Sequence, residues 1–511
     1  MSKNRTDNTI KNIAAALFVQ LAITVLSFVT RTALIRVLGI QAAGLNGLFV
    51  EVIAILSLTE MGVGSAIIYN LYKPLSENDE KKVCQLMTLF RTAYNYVTLA
   101  VLVLGLLLTP FIQYLVKEVD YPVPYIQRVF VLFVLRVAAS YLLGDRSSLL
   151  IADQKKYVTS VITLGVRVVT AAATVAVLYL TRNFMVYLWV QILCSLGNNL
   201  AAAVYVRKEY PYLRKDRSLP KSERAGVFKN IKYLFVDSLA WKIVESTDNI
   251  LISVLVSTLQ VGYYSNYNVL FGIIRQLRTQ VMGGIAGSLG NLLATEEPKH
   301  CEKVLNRMNY IFYVLGFLLC LGMFACVDPV VQLWLGEDFL LPRVVSLVCC
   351  LNLFLDICRM AVWKALAASG LFRENKNISI IGGATNLVVS VILGMKLGMV
   401  GIFLGTTVTT LVQLTLKVRL LYREFFHLPV RKFVTRFCYY LLSFLAGEAG
   451  ILWFMSAVRL DNLFLQVLAN GTAAVALSIP FCVLVFLNTE EFRYALGLVR
   501  ARLPFGKGRK Q

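Results

Sequence analysis

Nine basic and seven acidic side chains lie inside stretches of this 511-residue sequence that are otherwise apolar. The bases are Arg31, Arg36, Arg128, Arg136, Arg167, Lys242, Arg275, Arg278 and Arg359; the acids are Glu51, Glu60, Asp237, Glu245, Asp248, Asp356 and Glu448. A charged side chain at the centre of a bilayer costs at least about 2.5 kcal/mol, so such residues face a bundle interior or a wet cavity. A guanidinium presents a planar fork of donors that matches phosphate or carboxylate oxygens two at a time. The chemistry on offer is therefore electrostatic capture of an anionic group at membrane depth. The near-balance of acids implies that some of the bases are neutralised in place.

Spacing sorts these residues. In YLFVDSLAWKIVESTDNILIS, Asp237, Trp241, Glu245 and Asp248 share a helical arc of about 80°, with Lys242 on its flank. Arg275 and Arg278 are three residues apart and share a face; Asp356 and Arg359 have the same spacing and pair with each other. Arg31, Arg36, Arg128 and Glu448 fall near the ends of their apolar runs, where pairing or snorkelling accounts for them. Arg136, Lys242, Arg275 and Arg278 lie nearer mid-run and suit a cavity better. A diphosphate site would draw on Arg275, Arg278, Lys242, Arg136, Arg31 and Arg36. Glu60, Asp237, Glu245 and Asp248 are candidates either for binding a coupling ion, H⁺ or Na⁺, or for structural pairing. Tyr263, Tyr264, Asn266, Tyr267 and Asn268 could meet sugar hydroxyls or belong to an aromatic belt at the interface.

The elements that position these groups are membrane spans. Apolar residues make up 58% of the chain and charged residues only 16%, against about 25% charged in soluble proteins. Apolar runs long enough to cross a ~30 Å hydrocarbon core occur at 10–36, 43–70, 84–108, 125–150, 157–180, 184–206, 230–256, 263–293, 304–328, 342–364, 376–394, 399–421, 434–457 and 463–487. The expected fold is an all-α integral membrane protein of about 14 transmembrane helices. The first run, followed by Arg31 and Arg36, reads as a retained span, not a cleaved signal.

The formal charge of +22 is concentrated between the runs. Even-numbered connectors and both tails hold most of the Lys and Arg, which places both termini in the cytoplasm. Anionic lipid headgroups explain this excess without a nucleic-acid partner. The expected organisation is 1–206 as an N-lobe of six spans and 207–229 as a basic cytoplasmic linker. A C-lobe of six spans follows at 230–421, and 422–511 holds two further spans and a basic tail. LTPFIQYLV resembles VDPVVQLWL, pairing Pro110 with Pro329 and Gln113 with Gln332; QAAGLNGLF resembles LQVGYYSNY, pairing Gly44 with Gly262. Both offsets are about 218 residues, and a parallel repeat related by an axis along the membrane normal follows. The ten cysteines sit in or beside apolar runs and the two histidines lie far from other ligands, so neither a disulfide framework nor a metal site is supported. There is no P-loop signature, which excludes ATP as the direct energy source.

RTALIRVLGIQAAGLNGLF followed by LSLTEMGVGSAIIYNLYKPLSENDEKK resembles the N-terminal half of bacterial polysaccharide-exporting flippases. These belong to the multidrug/oligosaccharidyl-lipid/polysaccharide exporter superfamily. ESTDNILISVLVSTLQVGYYSNYNVLFGIIRQL resembles the start of their second half. The resemblance implies a MATE-like fold of two six-helix lobes plus two C-terminal helices, with alternating access. It further implies no cofactor and a polyprenyl-diphosphate-linked oligosaccharide as cargo, moved from the inner to the outer leaflet of the bacterial cytoplasmic membrane. Membrane lipids and a glycan polymerase machinery would be the partners. It lends an expectation of function to Arg31, Arg36, Glu60, Glu245, Asp248, Arg275 and Arg278, without establishing which charges act. The rival functions are a MATE-type drug/cation antiporter and a peptidoglycan-precursor lipid flippase. An enzyme such as a glycan polymerase would need a sizeable external loop or an acidic catalytic motif, and the sequence shows neither.

Overall fold

In hydrocarbon every backbone N–H and C=O must find a partner within the protein, which leaves helices as the form open to long apolar runs. The computed structural model describes residues 3–57, 63–213, 246–484, 486–487, 489–494 and 497, and their regular elements are all helical. The first group is α1 (Lys3–Leu56), α2 (Val63–Ser76), α3 (Glu80–Leu108), α4 (Val123–Tyr141), α5 (Gly144–Ala152), α6 (Lys156–Thr181) and α7 (Phe184–Glu209). Then come α8 (Ser246–Val256), α9 (Thr258–Thr295), α10 (Pro298–Leu335), α11 (Arg343–Cys358), α12 (Met360–Ala368), α13 (Phe372–Leu397) and α14 (Met399–Leu421). Helices α15 (Arg431–Ala457) and α16 (Leu463–Leu484) complete the described set.

Among the described residues, eleven helical stretches are long and apolar enough to cross a membrane. The first of these is broken at Gly39, whose φ of 81° few residues with a Cβ adopt. That break separates the first two spans expected from the sequence. The expected eighth span is the long α9, and most of the seventh lies outside the described residues.

The repeat seen in the sequence is a repeat of elements. Helix α3 is prolonged by a 3₁₀ turn, Thr109–Leu115, that carries Pro110, while α10 carries Pro329 and stops at Leu335. Each is followed by a helix in two pieces, α4–α5 and α11–α12, and then by a long pair, α6–α7 and α13–α14. The matched glycines also meet. A Cβ on Gly44 would overlap the Thr258 carbonyl oxygen, and one on Gly262 would sit 2.7 Å from the Ile40 oxygen. Small residues let α1 and the start of α9 approach at backbone distance, as packing in lipid favours.

A broken helix at membrane depth leaves carbonyls without partners. At the α4–α5 break Leu143 is left-handed, with φ 64°. The Asn199 amide of α7 donates to the carbonyls of Ala139, Ser140 and Leu142 at 3.3, 2.8 and 2.7 Å. Orphaning buried carbonyls costs about 1–3 kcal/mol. Asn199→Leu is therefore expected to lower the melting temperature of the purified protein by several degrees. An unchanged melting curve would show that the break satisfies itself.

Contacts divide the chain into two compact units, Met1–Ser265 and Asn266–Gln511. The first unit takes in the start of α9, because Thr258 binds the chain beyond α3: its N–H donates to the Lys117 carbonyl, and its hydroxyl accepts from the Lys117 N–H at 2.8 Å. The expected linker, 207–229, is described only as far as Leu213. One core of the first unit joins Leu71, Met87, Phe90, Tyr94, Tyr141 and Leu149. At the α5–α6 connector, Lys155 binds Asp153 and Glu209 at 2.9 Å and Tyr210 at 3.2 Å. Burial works against its charge, but these three bonds outweigh that and raise its pKa.

In the second unit the core is aromatic. Tyr313 of α10 stacks on Tyr440 of α15 at 4.3 Å, and Phe354 of α11 stacks on Phe444 at 4.0 Å. Helix α15 thus packs on α10 and α11 through a stripe at helical spacing: Tyr440, Ser443, Phe444, Gly447, Glu448 and Ile451.

Candidate functional site

The charged residues at depth fall into two groups, one in each unit. In the first unit Arg31 projects from α1 and is 9% exposed. It donates to the Gly262 carbonyl at 3.2 Å and to the Ser265 hydroxyl, both brought within reach by the close approach of α1 to α9. Arg136 of α4 is half-buried, with its guanidinium 4.7 Å from the Phe133 ring centroid. Buried Tyr187 of α7 lies within electrostatic reach of both Arg31 and Arg136, and the exposed Arg167 of α6 within reach of Arg136. Among the described residues no carboxylate pairs with Arg136. Helices α1 and α4 thus bring two guanidinium groups to the Tyr187 phenol, with Arg167 near the second, an arrangement that attracts anions.

In the second unit the cations are held more tightly. Arg278 of α9 and Arg359, at the break between α11 and α12, both bind Asp356. The Arg359 contacts are 2.8 Å from Nε and 2.5 Å from the terminal nitrogen. The i, i+3 pairing expected from the sequence is therefore present, and Arg278 joins it across 78 residues of chain (278 to 356). The cluster extends further: Arg359 and the buried Lys417 of α14 both lie over the Trp363 ring, at 4.9 and 4.3 Å. Arg275 donates to the side-chain oxygen of Asn268, and its buried Nε has no acceptor among the described residues.

Other candidates are placed differently. Arg36 is exposed on α1, and Asp248 is half-buried in α8. Glu60, Asp237, Lys242 and Glu245 lie outside the described residues. Tyr267 is a core residue: its hydroxyl donates to Asp328 at 3.0 Å and accepts from the Leu341 N–H at 3.1 Å. Lys417, Trp363 and Tyr187 were not singled out by the sequence. Lys417 sits four residues from the end of its run, where a snorkelling lysine is expected, and aromatic residues in spans carry no signal of their own.

Residues 9–283, more than half of the chain, match the family described as "Polysaccharide biosynthesis protein". The chain belongs to this family. Solved structures share its fold. "Lipid II flippase MurJ, inward closed conformation" aligns with a TM-score of 0.69 at 12% identity, over 92% of this chain and 99% of that one. An inward-facing multidrug resistance MATE family transporter of the MOP superfamily aligns with a TM-score of 0.63 at 11% identity, over 78% and 96%. The MATE multidrug transporter DinF-BH aligns at 0.57 with 14% identity, over 82% and 96%. No curated protein sequence matches. The fold of this polysaccharide biosynthesis protein is thus the MATE-like membrane transporter fold.

Proposed function

We propose that this protein is a flippase that carries a polyprenyl-diphosphate-linked oligosaccharide from the inner to the outer leaflet of the bacterial cytoplasmic membrane by alternating access. Both termini are cytoplasmic in this reading. The observation that carries it is Arg136, a half-buried guanidinium with no carboxylate partner among the described residues, in a chain of the polysaccharide biosynthesis family. A diphosphate between a glycan and an apolar tail supplies the anion that such a group binds bidentately. Arg31, in the same unit as Arg136, serves as a further contact as the carrier changes state. A negatively charged cargo makes the membrane potential one driver, worth about 2.3 kcal/mol per charge per 100 mV. A drug/cation antiporter would instead favour an acidic pocket, whereas Arg31 and Arg136 bring two guanidinium groups to Tyr187 in the first unit.

The test is leaflet-specific labelling of a lipid-linked oligosaccharide in proteoliposomes. Transfer that depends on the protein supports the proposal. Vesicles that move peptidoglycan-precursor lipid or organic cations, and no oligosaccharide lipid, would replace it with one of those cargoes.

A further inference from the structure

The sequence places Glu448 near the end of an apolar run, where a charge can snorkel. In the structure it lies nine residues before the end of α15, which ends at Ala457, about 14 Å of helix from the nearer end. It is 1% exposed, and neither carboxyl oxygen has a hydrogen-bond partner among the described residues. Its neighbour Gly447 is pressed against Phe317 and Leu321 of α10, at 2.9 and 3.4 Å for a Cβ built there. The titratable groups that face it are two buried thiols, Cys320 of α10 and Cys350 of α11. Helices α15 and α16 add none, and no charged side chain reaches it, among the described residues.

An ionised carboxylate sealed in such a place would cost so much that the group neutralises instead. A hard metal cation needs about six oxygen ligands, and these surroundings offer aromatic carbon and thiols. A proton needs only one oxygen. We propose that Glu448 is a proton-binding site that locks α15 onto α10 and α11, and that H⁺ is the ion coupled to transport. This rests on the transport reading above. Binding forms one O–H bond on a carboxylate oxygen with a proton from bulk water, and release returns that proton; nothing is oxidised or reduced. The ionised form requires hydration, so releasing the proton requires α15 to part from its neighbours. With the start of α15 cytoplasmic, the shorter path from Glu448 to water is the external one.

The experiment has a substrate-free arm. Infrared difference spectra of wild type against Glu448→Gln and Glu448→Asp, in nanodiscs without glycan lipid, read the carboxylic acid C=O stretch. The expected result is an acid band at neutral pH that the Gln variant loses and the Asp variant keeps. On alkaline titration the band should vanish reversibly while Cys320 and Cys350 become open to thiol reagents. A carboxylate signal already at neutral pH, or an acid band that never exchanges its proton while the protein stays folded, would overturn the proposal. In proteoliposomes, Glu448→Gln is expected to lose the response of transport to an imposed pH gradient; a full wild-type response would also overturn it. Because the spectra need no cargo, failure of the proton site and failure of the flippase reading are separate results.

Discussion

Replacing Arg136 by alanine is expected to slow oligosaccharide-lipid transfer by about 30-fold or more at unchanged protein level. Truncating one partner of a buried, hydrogen-bonded charge pair costs about 2–5 kcal/mol, and each 1.4 kcal/mol is about tenfold. Arg136 has no carboxylate to leave stranded among the described residues, so its loss should spare the fold. It gives up the stacking on Phe133 and little else within the described protein. Arg136→Lys keeps the charge but loses the planar fork, and should fall between wild type and alanine. Initial rates of leaflet-specific labelling, at matched reconstitution, provide the measurement. Wild-type rates from the alanine variant would remove Arg136 from the binding site. A melting temperature that falls with the rate would mean that Arg136 acts through the fold.

Asp356 should behave in the opposite way. Its carboxylate serves both Arg278 and Arg359, and all three side chains are 18% exposed. Removing one partner of a largely buried ion pair costs about 3–5 kcal/mol, because the remaining charge is left uncompensated. Asp356→Ala strands two guanidinium groups at once and is expected to lower the melting temperature by many degrees, or to abolish accumulation of folded protein. Arg359→Met should be milder, since Asp356 keeps Arg278 and the Trp363 ring keeps Lys417. Thermal unfolding of the detergent-purified variants, followed by intrinsic fluorescence, checks the order. An Asp356→Ala protein as stable as wild type would mean that the cluster is hydrated and that its charges are free to meet cargo.

The two variants separate roles that residue type alone leaves undivided. Arg136, Arg275, Arg278 and Arg359 are all arginines inside apolar runs, and their types alone give each the same claim on a phosphate. The fold distinguishes them by what lies across from each, and that depends on residues distant in the chain.

Hydrophobic run length decided where most helices run, because a chain in lipid must satisfy its own backbone. The matches of Pro110 with Pro329 and Gly44 with Gly262 anticipated the repeated element order, and short-range spacing gave the Asp356–Arg359 pair; these are local properties. The break at Leu143 was hidden inside one apolar run, since the Asn199 that satisfies it comes from another helix. Tertiary structure alone brought Arg278 to Asp356, set Lys417 over Trp363 and left Arg136 without an acid among the described residues. It also sealed Glu448 against α10 and α11 instead of letting it reach the interface. Run length and periodicity say that a charge lies at depth and on which face of its helix; only packing between helices decides what that face meets, and so which charges are neutralised and which remain available.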